Sequence, residues 1–173
     1  MRVDEVDIRD ARAEDASAIA CVHEAAFGRP NEARLVEAIS RSPAAVISIV
    51  AAINDGIIGH IFFSPVTIDD SGPSVAALGL APLAVLPDVQ RCGIGSKLVT
   101  SGLDAARRQG AQVVVVLGDP SYYQRFGFRP AREFGLRSEY VEAGDAFMAR
   151  ELTPGILTER SGLVRYLPEF AAV

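Results

Sequence analysis

Apolar positions in the N-terminal part of the chain form a short run and then recur at helical spacing. Residues 6–9 predict a strand, and a helix follows because apolar side chains return every three or four residues. These positions are Ala16, Ile19, Ala20, His23 and Phe27. The sequence Gly-Arg-Pro at 28–30 ends that helix, and Asn31 is the predicted N-cap of a second helix, which ends at the Ser42-Pro43 break.

The next two apolar segments predict a β-hairpin. Residues 46–53 and 57–68 are rich in β-branched side chains, which favour strands. The sequence Asn54-Asp55-Gly56 between them is a strong signal for a tight turn. We therefore expect the two strands to pair antiparallel.

The middle of the chain predicts a strand, a helix and a second strand. Residues 75–86 form an apolar run that is interrupted by a glycine and by Pro82, which indicates a bulge or a strand that splays from its neighbour. Residues 95–109 predict a helix that Gly110 ends. Residues 113–117 are continuously apolar, as in a strand covered on both faces, so the three elements predict a parallel crossover.

The remaining segments complete a mixed fold. Residues 120–126 predict a short helix, and we expect closing strands from Phe128 onward and over 146–152. No internal repeat or low-complexity linker interrupts the chain, so we predict a single domain over 1–173. The predicted class is α/β, with a mixed, mostly antiparallel sheet flanked by helices.

Composition and charge exclude several functional classes. The 173 residues are 49% hydrophobic and 23% charged, which is typical of a globular domain. The net charge of −5 argues against a broad nucleic-acid surface, which needs clustered Lys and Arg. Cys21 and Cys92 lie far apart without a metal-binding spacing, so we expect reduced thiols and no metal. The sequence predicts neither a signal peptide nor a membrane span, and therefore a cytoplasmic protein without a membrane partner.

The segment Pro87-Asp88-Val89-Gln90-Arg91-Cys92-Gly93-Ile94-Gly95-Ser96 is the candidate phosphate-binding loop, because it lies between a predicted strand and a predicted helix. Backbone N–H groups and the helix dipole favour an anion at such a position. Gly93 and Gly95 remove side chains that would hold a ligand away from the backbone, and Arg91 and Lys97 add positive charge. A structural turn before a helix is the alternative explanation of the glycines. Leu98 replaces the third glycine of a dinucleotide fingerprint, and the NTP-binding loop motif is absent.

The pattern Gln90-x-x-Gly93-x-Gly95 has a specific context. Leu83-Ala84-Val85-Leu86-Pro87 precedes it, and a helix, a valine-rich strand and the sequence Ser121-Tyr122-Tyr123-Gln124-Arg125-Phe126-Gly127-Phe128 follow it. Together these segments resemble the GNAT superfamily of N-acetyltransferases. The sequences at 59–65 and 117–123 are similar to a branch of small bacterial predicted acetyltransferases.

The resemblance implies a cofactor, acetyl-CoA, and a sheet that splays at the cofactor cleft. It implies that pantetheine pairs with the backbone of the strand before the loop, and that the loop binds the pyrophosphate. The implied cofactor-binding residues are Leu83, Ala84, Val85, Gln90, Arg91, Cys92, Gly93, Ile94, Gly95 and Ser96. It also implies two catalytic groups: a backbone N–H near Val85 that stabilises the oxyanion, and Tyr123 as the general acid that protonates the CoA thiolate.

The general base is not specified by the sequence. Many relatives carry a glutamate on the strand before the loop, but residues 75–86 contain no acid or histidine. His60, His23 and Glu24 are alternatives that would act through water, and a structural role is the competing interpretation of each histidine. We assign Cys92 no nucleophilic role.

The expected function is therefore transfer of an acetyl group to a primary amine of a small molecule or a protein, without a covalent enzyme intermediate. An acyl-CoA-binding sensor with little catalysis is the alternative that the missing carboxylate leaves open. Arg29, Glu32 and Arg34 could line an acceptor entrance, although solvated helix residues explain them equally simply. The oligomeric state is not readable, and a homodimer is one arrangement that we consider.

Overall fold

The computed structural model describes residues 5–44, 46–140 and 144–172. The chain divides into two compact units, each discontinuous in sequence. The first contains Met1–Phe63, Pro82–Ala105 and Pro168–Val173, and the second contains Ser64–Ala81 and Ala106–Leu167. The single domain over 1–173 stays a prediction.

The first unit begins with the predicted strand and two helices. Strand β1 covers Asp7–Asp10, a 3-10 turn follows at Ala13–Asp15, helix α1 covers Ala16–Phe27, and helix α2 covers Asn31–Ser40. Gly28 ends α1 with a left-handed φ of 68°, so the predicted stop is confirmed.

The predicted N-cap of α2 is wrong by one residue. Pro30 occupies the cap position with φ −86° and ψ 0°, and no side chain caps the helix there. The Pro30 carbonyl accepts a hydrogen bond from the Arg34 N–H at 3.0 Å, so Asn31 is already helical. The proline ring fixes φ near the helical value and lets the helix begin one residue earlier than the asparagine signal suggested.

The predicted hairpin is confirmed. Strands β2 (Ile47–Ile53) and β3 (Gly56–Asp69) pair antiparallel, and β1 pairs antiparallel with β2. Asn54 and Asp55 form the turn with positive φ values of 46° and 66°, the conformation that a two-residue type I′ turn requires. A register shift near the turn leaves Ile58 as the extra residue of a β-bulge.

The predicted parallel crossover is also confirmed. Strand β4 covers Ala77–Val85, helix α3 covers Ile94–Arg108, and strand β5 covers Val113–Leu117. The parallel ladder of β4 and β5 runs from the Ala77–Val113 pair to the Leu80–Val116 pair, while β4 itself continues to Val85.

The second unit also holds the C-terminal strands. Helix α4 and a 3-10 turn occupy the predicted short helix, and four strands follow. The elements are α4 (Pro120–Tyr123), the turn Gln124–Phe126, β6 (Arg129–Pro130), β7 (Leu136–Ser138), β8 (Phe147–Glu151) and β9 (Gly162–Arg165). Strand β8 confirms the strand predicted over 146–152 and pairs antiparallel with β5 and β6. Strand β9 pairs antiparallel with the end of β3 and parallel with β7, and neither β7 nor β9 was predicted individually.

These ladders give the predicted class, an α/β fold with a mixed, largely antiparallel sheet flanked by helices. The remaining short 3-10 turns lie at Pro87–Val89, Ala131–Phe134, Gly144–Ala146 and Pro168–Ala172. In the second unit the core forms around Val113 and Val115 of β5, with Phe147 of β8 and Val164 of β9. Each of these side chains is at most 4% exposed, and Val114 and Val116 on the opposite face of β5 are at most 1% exposed. The apolar run of β5 therefore reflects burial on both faces over 113–116, whereas Leu117 is 49% exposed, contrary to the predicted cover over 113–117.

Candidate functional site

The loop between β4 and α3 is held in place by backbone and side-chain hydrogen bonds. The Leu86 N–H donates to the carbonyl of Ile58, the bulged residue of β3, at 2.9 Å. The Gln90 side-chain amide donates to the Val85 carbonyl at 3.0 Å. Gln90 therefore ties the loop back to the end of β4, and the structure brings these two predicted site residues together.

Two loop residues have a left-handed backbone, Arg91 with φ 60° and Gly93 with φ 83°. A side chain added at Gly93 would meet no protein atom within 4 Å. The backbone conformation, and not crowding by the protein, therefore requires glycine at this position. Arg91 is not a glycine, and its left-handed conformation costs about 1–2 kcal/mol. Backbone strain of this kind is concentrated at ligand-binding sites.

Backbone N–H groups at the start of α3 precede the first helical hydrogen bond. That bond joins the Lys97 N–H to the Gly93 carbonyl at 3.1 Å. The N–H groups of Ile94, Gly95 and Ser96 lie before it, where a helix has no internal acceptor for them. They can donate to an anion, and the positive end of the helix dipole favours one. Arg91 is exposed beside them, whereas the Ile94 side chain is buried.

At the end of β4, Leu83, Ala84 and Val85 follow Pro82, and each of the three keeps a backbone N–H that can donate a hydrogen bond. Ala84 is buried, whereas Leu83 and Val85 are partly exposed. The Val85 carbonyl accepts the hydrogen bond from Gln90. The oxyanion prediction concerns the N–H of the same residue, which this bond does not use. Cys92 is exposed with a free thiol.

Tyr123 lies in the second unit, in a setting that the sequence did not reveal. Asp119 caps α4 by accepting the Ser121 N–H at 2.8 Å. The Tyr123 side chain is buried, with its ring against Phe128 at a centroid distance of 5.7 Å. A Cβ at Gly118 would overlap the Tyr123 ring, so the ring can occupy this position only because residue 118 is a glycine. Burial raises the pKa of the Tyr123 phenol above its ordinary value of 10.0 and keeps it protonated.

The two histidines considered as bases form a buried pair in the first unit. His23 Nε2 and His60 Nδ1 are 2.8 Å apart, and the Ser48 hydroxyl lies 2.8 Å from His60 Nε2. Both rings are 0% exposed. Burial lowers the pKa of His23 to about 4 and that of His60 to about 3, so both are neutral near pH 7. Groups with these pKa values are poor acceptors for an ammonium proton, and the geometry favours the structural interpretation.

The residues predicted near an acceptor entrance are not all solvated. Glu32 is 7% exposed, and its carboxylate accepts hydrogen bonds from the Arg29 guanidinium at 2.5 and 3.1 Å. Arg34 and Glu24 are exposed. This ion pair joins an exposed arginine of the loop after α1 to a buried glutamate in the first turn of α2, and no sequence pattern distinguished Glu32 from its neighbours.

Within the described part of the chain, no group of three or more His, Cys, Asp or Glu side chains could hold a metal ion. No helix among those same residues is long and apolar enough to cross a membrane.

A family model described as an acetyltransferase (GNAT) domain matches residues 7–131. The uncharacterized N-acetyltransferase YhbS of Escherichia coli strain K12 is 35% identical over 157 residues, which cover 90% of this chain and 93% of that protein. A second Escherichia coli protein, the uncharacterized N-acetyltransferase YjhQ, is 39% identical over 118 residues, or 67% of this chain and 65% of that protein.

Two solved structures are similar over nearly the whole chain. The crystal structure of Escherichia coli YhbS in complex with CoA has a TM-score of 0.90 and 34% identity, and the match covers 96% of this chain and 92% of that one. A GNAT family acetyltransferase from Brucella melitensis, in complex with acetyl-CoA, has a TM-score of 0.78 and 36% identity, with 95% and 97% covered.

Proposed function

The chain belongs to the GNAT acetyltransferase family, and we propose that it transfers an acetyl group from acetyl-CoA to a primary amine of a small molecule or a protein. The observation that carries the proposal is the loop before α3, where left-handed Arg91 and Gly93 precede N–H groups without helical acceptors. The relatives from Escherichia coli and Brucella melitensis were solved with CoA and acetyl-CoA, which supports the same cofactor here.

We assign the pyrophosphate to the loop and to the first turn of α3. The proposed contacts are the backbone of Arg91, Cys92, Gly93, Ile94, Gly95 and Ser96, with Gln90 fixing the loop through its bond to Val85. Pantetheine would pair with the backbone of Leu83, Ala84 and Val85, at the end of β4. Gln90 thus serves the cofactor as a positioning residue.

The reaction is a direct attack in a ternary complex. The neutral amine nitrogen forms a bond to the thioester carbonyl carbon, and the Val85 N–H stabilises the resulting oxyanion. The carbon–sulfur bond then breaks, and Tyr123 donates its phenolic proton to the departing thiolate. The raised pKa of Tyr123 keeps this proton in place until the thiolate forms. The new amide nitrogen releases its extra proton, and a proton taken up through water restores the Tyr123 phenol.

No residue of 75–86 can act as the base, and the histidine pair is poorly suited to that role. Glu24, which is exposed, and water are the remaining candidates, and we assign the proton of the amine to water, which favours acceptors that are partly neutral at working pH. An acyl-CoA sensor with little catalysis is the alternative that the missing acid on residues 75–86 favours.

A broad panel of amine and peptide acceptors, assayed for released thiol, separates the two functions. Thiol release with any acceptor supports the enzyme, whereas CoA binding without thiol release supports the sensor. Absence of CoA binding in isothermal titration would remove both. The same assay can identify the acceptor, and a sizing experiment can test a homodimer. Cytoplasmic localisation also stays a prediction.

Tyr123→Phe tests the general acid. We expect kcat to fall by about a hundredfold, because general acid catalysis contributes roughly that much, while the CoA dissociation constant stays unchanged. Tyr122→Phe is the matched control, since it removes the neighbouring hydroxyl from the same helix. An unaltered kcat in Tyr123→Phe would show that another group, or water, protonates the thiolate.

A further inference from the structure

The first unit contains a cavity of about 670 Å³ between helices α1 and α2. Its wall is formed by these helices, by the segment that precedes α1, and by Ser48 of β2. No residue of the loop between β4 and α3 lines it. The volume lies within the range of small-molecule sites, so the cavity can hold a ligand other than CoA.

The cavity is lined mostly by small side chains, together with five charged side chains. Alanines and serines make up much of the wall, including Ala16 and Ala20 of α1. Three arginines line the cavity against two glutamates. These charged residues are Arg12, Arg34, Arg41, Glu24 and Glu37.

Ion pairing leaves an excess of positive charge in the cavity. Glu37 is paired with Arg41 at 2.6 Å, so these two charges largely cancel. Arg12 has only a long contact of 3.6 Å to the exposed Glu14. Within residues 5–44, 46–140 and 144–172, Arg34 forms no ion pair. Arg12 and Arg34 then remain with one carboxylate, Glu24, so the three arginines and two glutamates give the wall a net charge of +1, which favours an anionic ligand in a protein of net charge −5.

Ser48 joins the cavity to the buried histidine pair. Its hydroxyl oxygen lies 2.8 Å from His60 Nε2, and His60 Nδ1 lies 2.8 Å from His23 Nε2. The chain of hydrogen bonds ends at His23 Nδ1, which is buried and has no hydrogen-bond partner among the residues that the structure describes. Because each neutral ring carries a single N–H, the state of His23 Nδ1 fixes the direction of every bond in the chain.

A buried N–H without an acceptor is rarer in proteins than a buried lone pair without a donor. The favoured arrangement therefore leaves His23 Nδ1 unprotonated. His23 Nε2–H then donates to His60 Nδ1, and His60 Nε2–H donates to the Ser48 oxygen. The hydroxyl hydrogen of Ser48 is not used by the histidines, and it can be donated into the cavity that Ser48 lines.

We propose that this cavity binds a small molecule through an anionic oxygen group, a carboxylate or a phosphate, with the Ser48 hydroxyl and the Arg34 guanidinium as donors. Arginine suits both groups because its planar fork can donate two parallel hydrogen bonds. The histidine pair acts as a positioning device that turns the serine hydroxyl toward the ligand. The site is separate from the CoA loop and does not depend on acetyl transfer.

Titrations of inorganic phosphate and of succinate into the full chain saturated with CoA test this proposal. Saturation occupies the loop before α3, which could otherwise bind phosphate itself. We expect at least one probe to bind, phosphate alone indicating a phosphate ligand and succinate alone a carboxylate. Arg34→Ala should weaken that binding by roughly tenfold, because a hydrogen bond from a charged donor contributes about that much.

Arg137→Ala is the matched control, since it removes the same charge from an exposed position of β7 in the second unit. Ser48→Ala should weaken binding as Arg34→Ala does. If Ser48→Ala fails to fold, Arg34→Ala still tests the proposal, because Arg34 is exposed and its replacement should leave the fold intact. Absence of binding for both probes, or equal affinities in Arg34→Ala and wild type, would overturn the proposal.

The direction of the hydrogen bonds has its own test. Long-range proton–nitrogen NMR spectra report which ring nitrogen of each histidine is protonated. We expect Nε2–H on both His23 and His60. A proton on His23 Nδ1 would reverse the chain, make Ser48 donate to His60, and contradict its role as a donor to the ligand.

Discussion

The loop before α3 and the pair formed by His23 and His60 handle polar groups in opposite ways. The loop has left-handed φ values at Arg91 and Gly93, and the N–H groups that follow it lie before the first helical hydrogen bond and so have no helical acceptors. The histidines are fully buried and use their ring nitrogens on each other and on Ser48. Donors without internal acceptors indicate a binding site, whereas buried groups that bond to each other stabilise the fold and can orient a neighbouring donor such as Ser48.

The largest effect should come from the loop. Gly93→Val places a β-branched side chain at φ 83°, where such residues are strained, and directs it into open space that we assign to the pyrophosphate. We expect the CoA dissociation constant to rise by about a hundredfold, because several charge-assisted hydrogen bonds would be disturbed together. Isothermal titration measures the change.

Gly110→Val separates loss of the site from backbone strain. Gly110 also has φ 83° and open space around it, but it lies after α3 and outside the loop. This variant should lose a similar amount of stability, about 1–2 kcal/mol, and keep its affinity for CoA. If both variants lost CoA affinity equally, the loss would be explained by reduced stability of the fold and not by a contact between the loop and CoA.

The second effect concerns the histidine pair. His60→Leu leaves the buried His23 Nε2–H without its acceptor and Ser48 without its donor, so the free energy of unfolding should fall by about 2 kcal/mol. The double variant with His23→Leu should lose much less than twice that amount, since the orphaned imidazole is removed. Denaturant titrations of the four proteins measure the coupling, and strictly additive losses would contradict a paired arrangement.

The smallest effect per group is a dependence of stability on pH. Burial lowers the pKa of His23 to about 4 and of His60 to about 3, against 6.5 for an ordinary histidine, despite the opposing charges of Glu32 and Asp15. As pH falls, the unfolded chain binds these protons first, so the free energy of unfolding decreases below about pH 6.5. The loss should be about 1 kcal/mol for each histidine between pH 7 and 5.5.

The double leucine variant is the control for the pH series, and its stability should change little in this window. Asp15 contributes at lower pH, because its hydrogen bond with Arg9 lowers its pKa from 3.8 to about 2. That carboxylate stabilises the fold above pH 4, and its contribution is lost as pH falls toward 2. A loss of stability confined to pH below 4 would show that the histidines titrate normally when folded.

Features that depend on neighbouring residues were predictable from the sequence. Asn54 and Asp55 specify the hairpin turn by their own tolerance of positive φ, and Gly110 ends α3 in the same way. The loop before α3 could be proposed as a phosphate site because its glycines, strand and helix are contiguous, and this assignment stays a prediction. The N-cap error at Asn31 arose because Pro30 also favours a helix start.

Features that depend on distant contacts were not predictable. His23 and His60 are separated by 37 positions, and no spacing rule brings them to 2.8 Å. Strands β7 and β9 are three and four residues long, too short for a periodic pattern, and β9 is stabilised by pairing with β3. The dependence of the Tyr123 ring on Gly118 is close in sequence, but only side-chain packing reveals it.

The bond from the Gln90 amide to the Val85 carbonyl has a consequence for the kinetics of ligand capture. Together with the Leu86–Ile58 bond, it fixes the loop before any ligand arrives. A preformed loop loses little conformational entropy on association, so more of the interaction energy appears as affinity. Capture of CoA should then be limited by diffusional encounter and orientation, and not by a slow ordering of the chain.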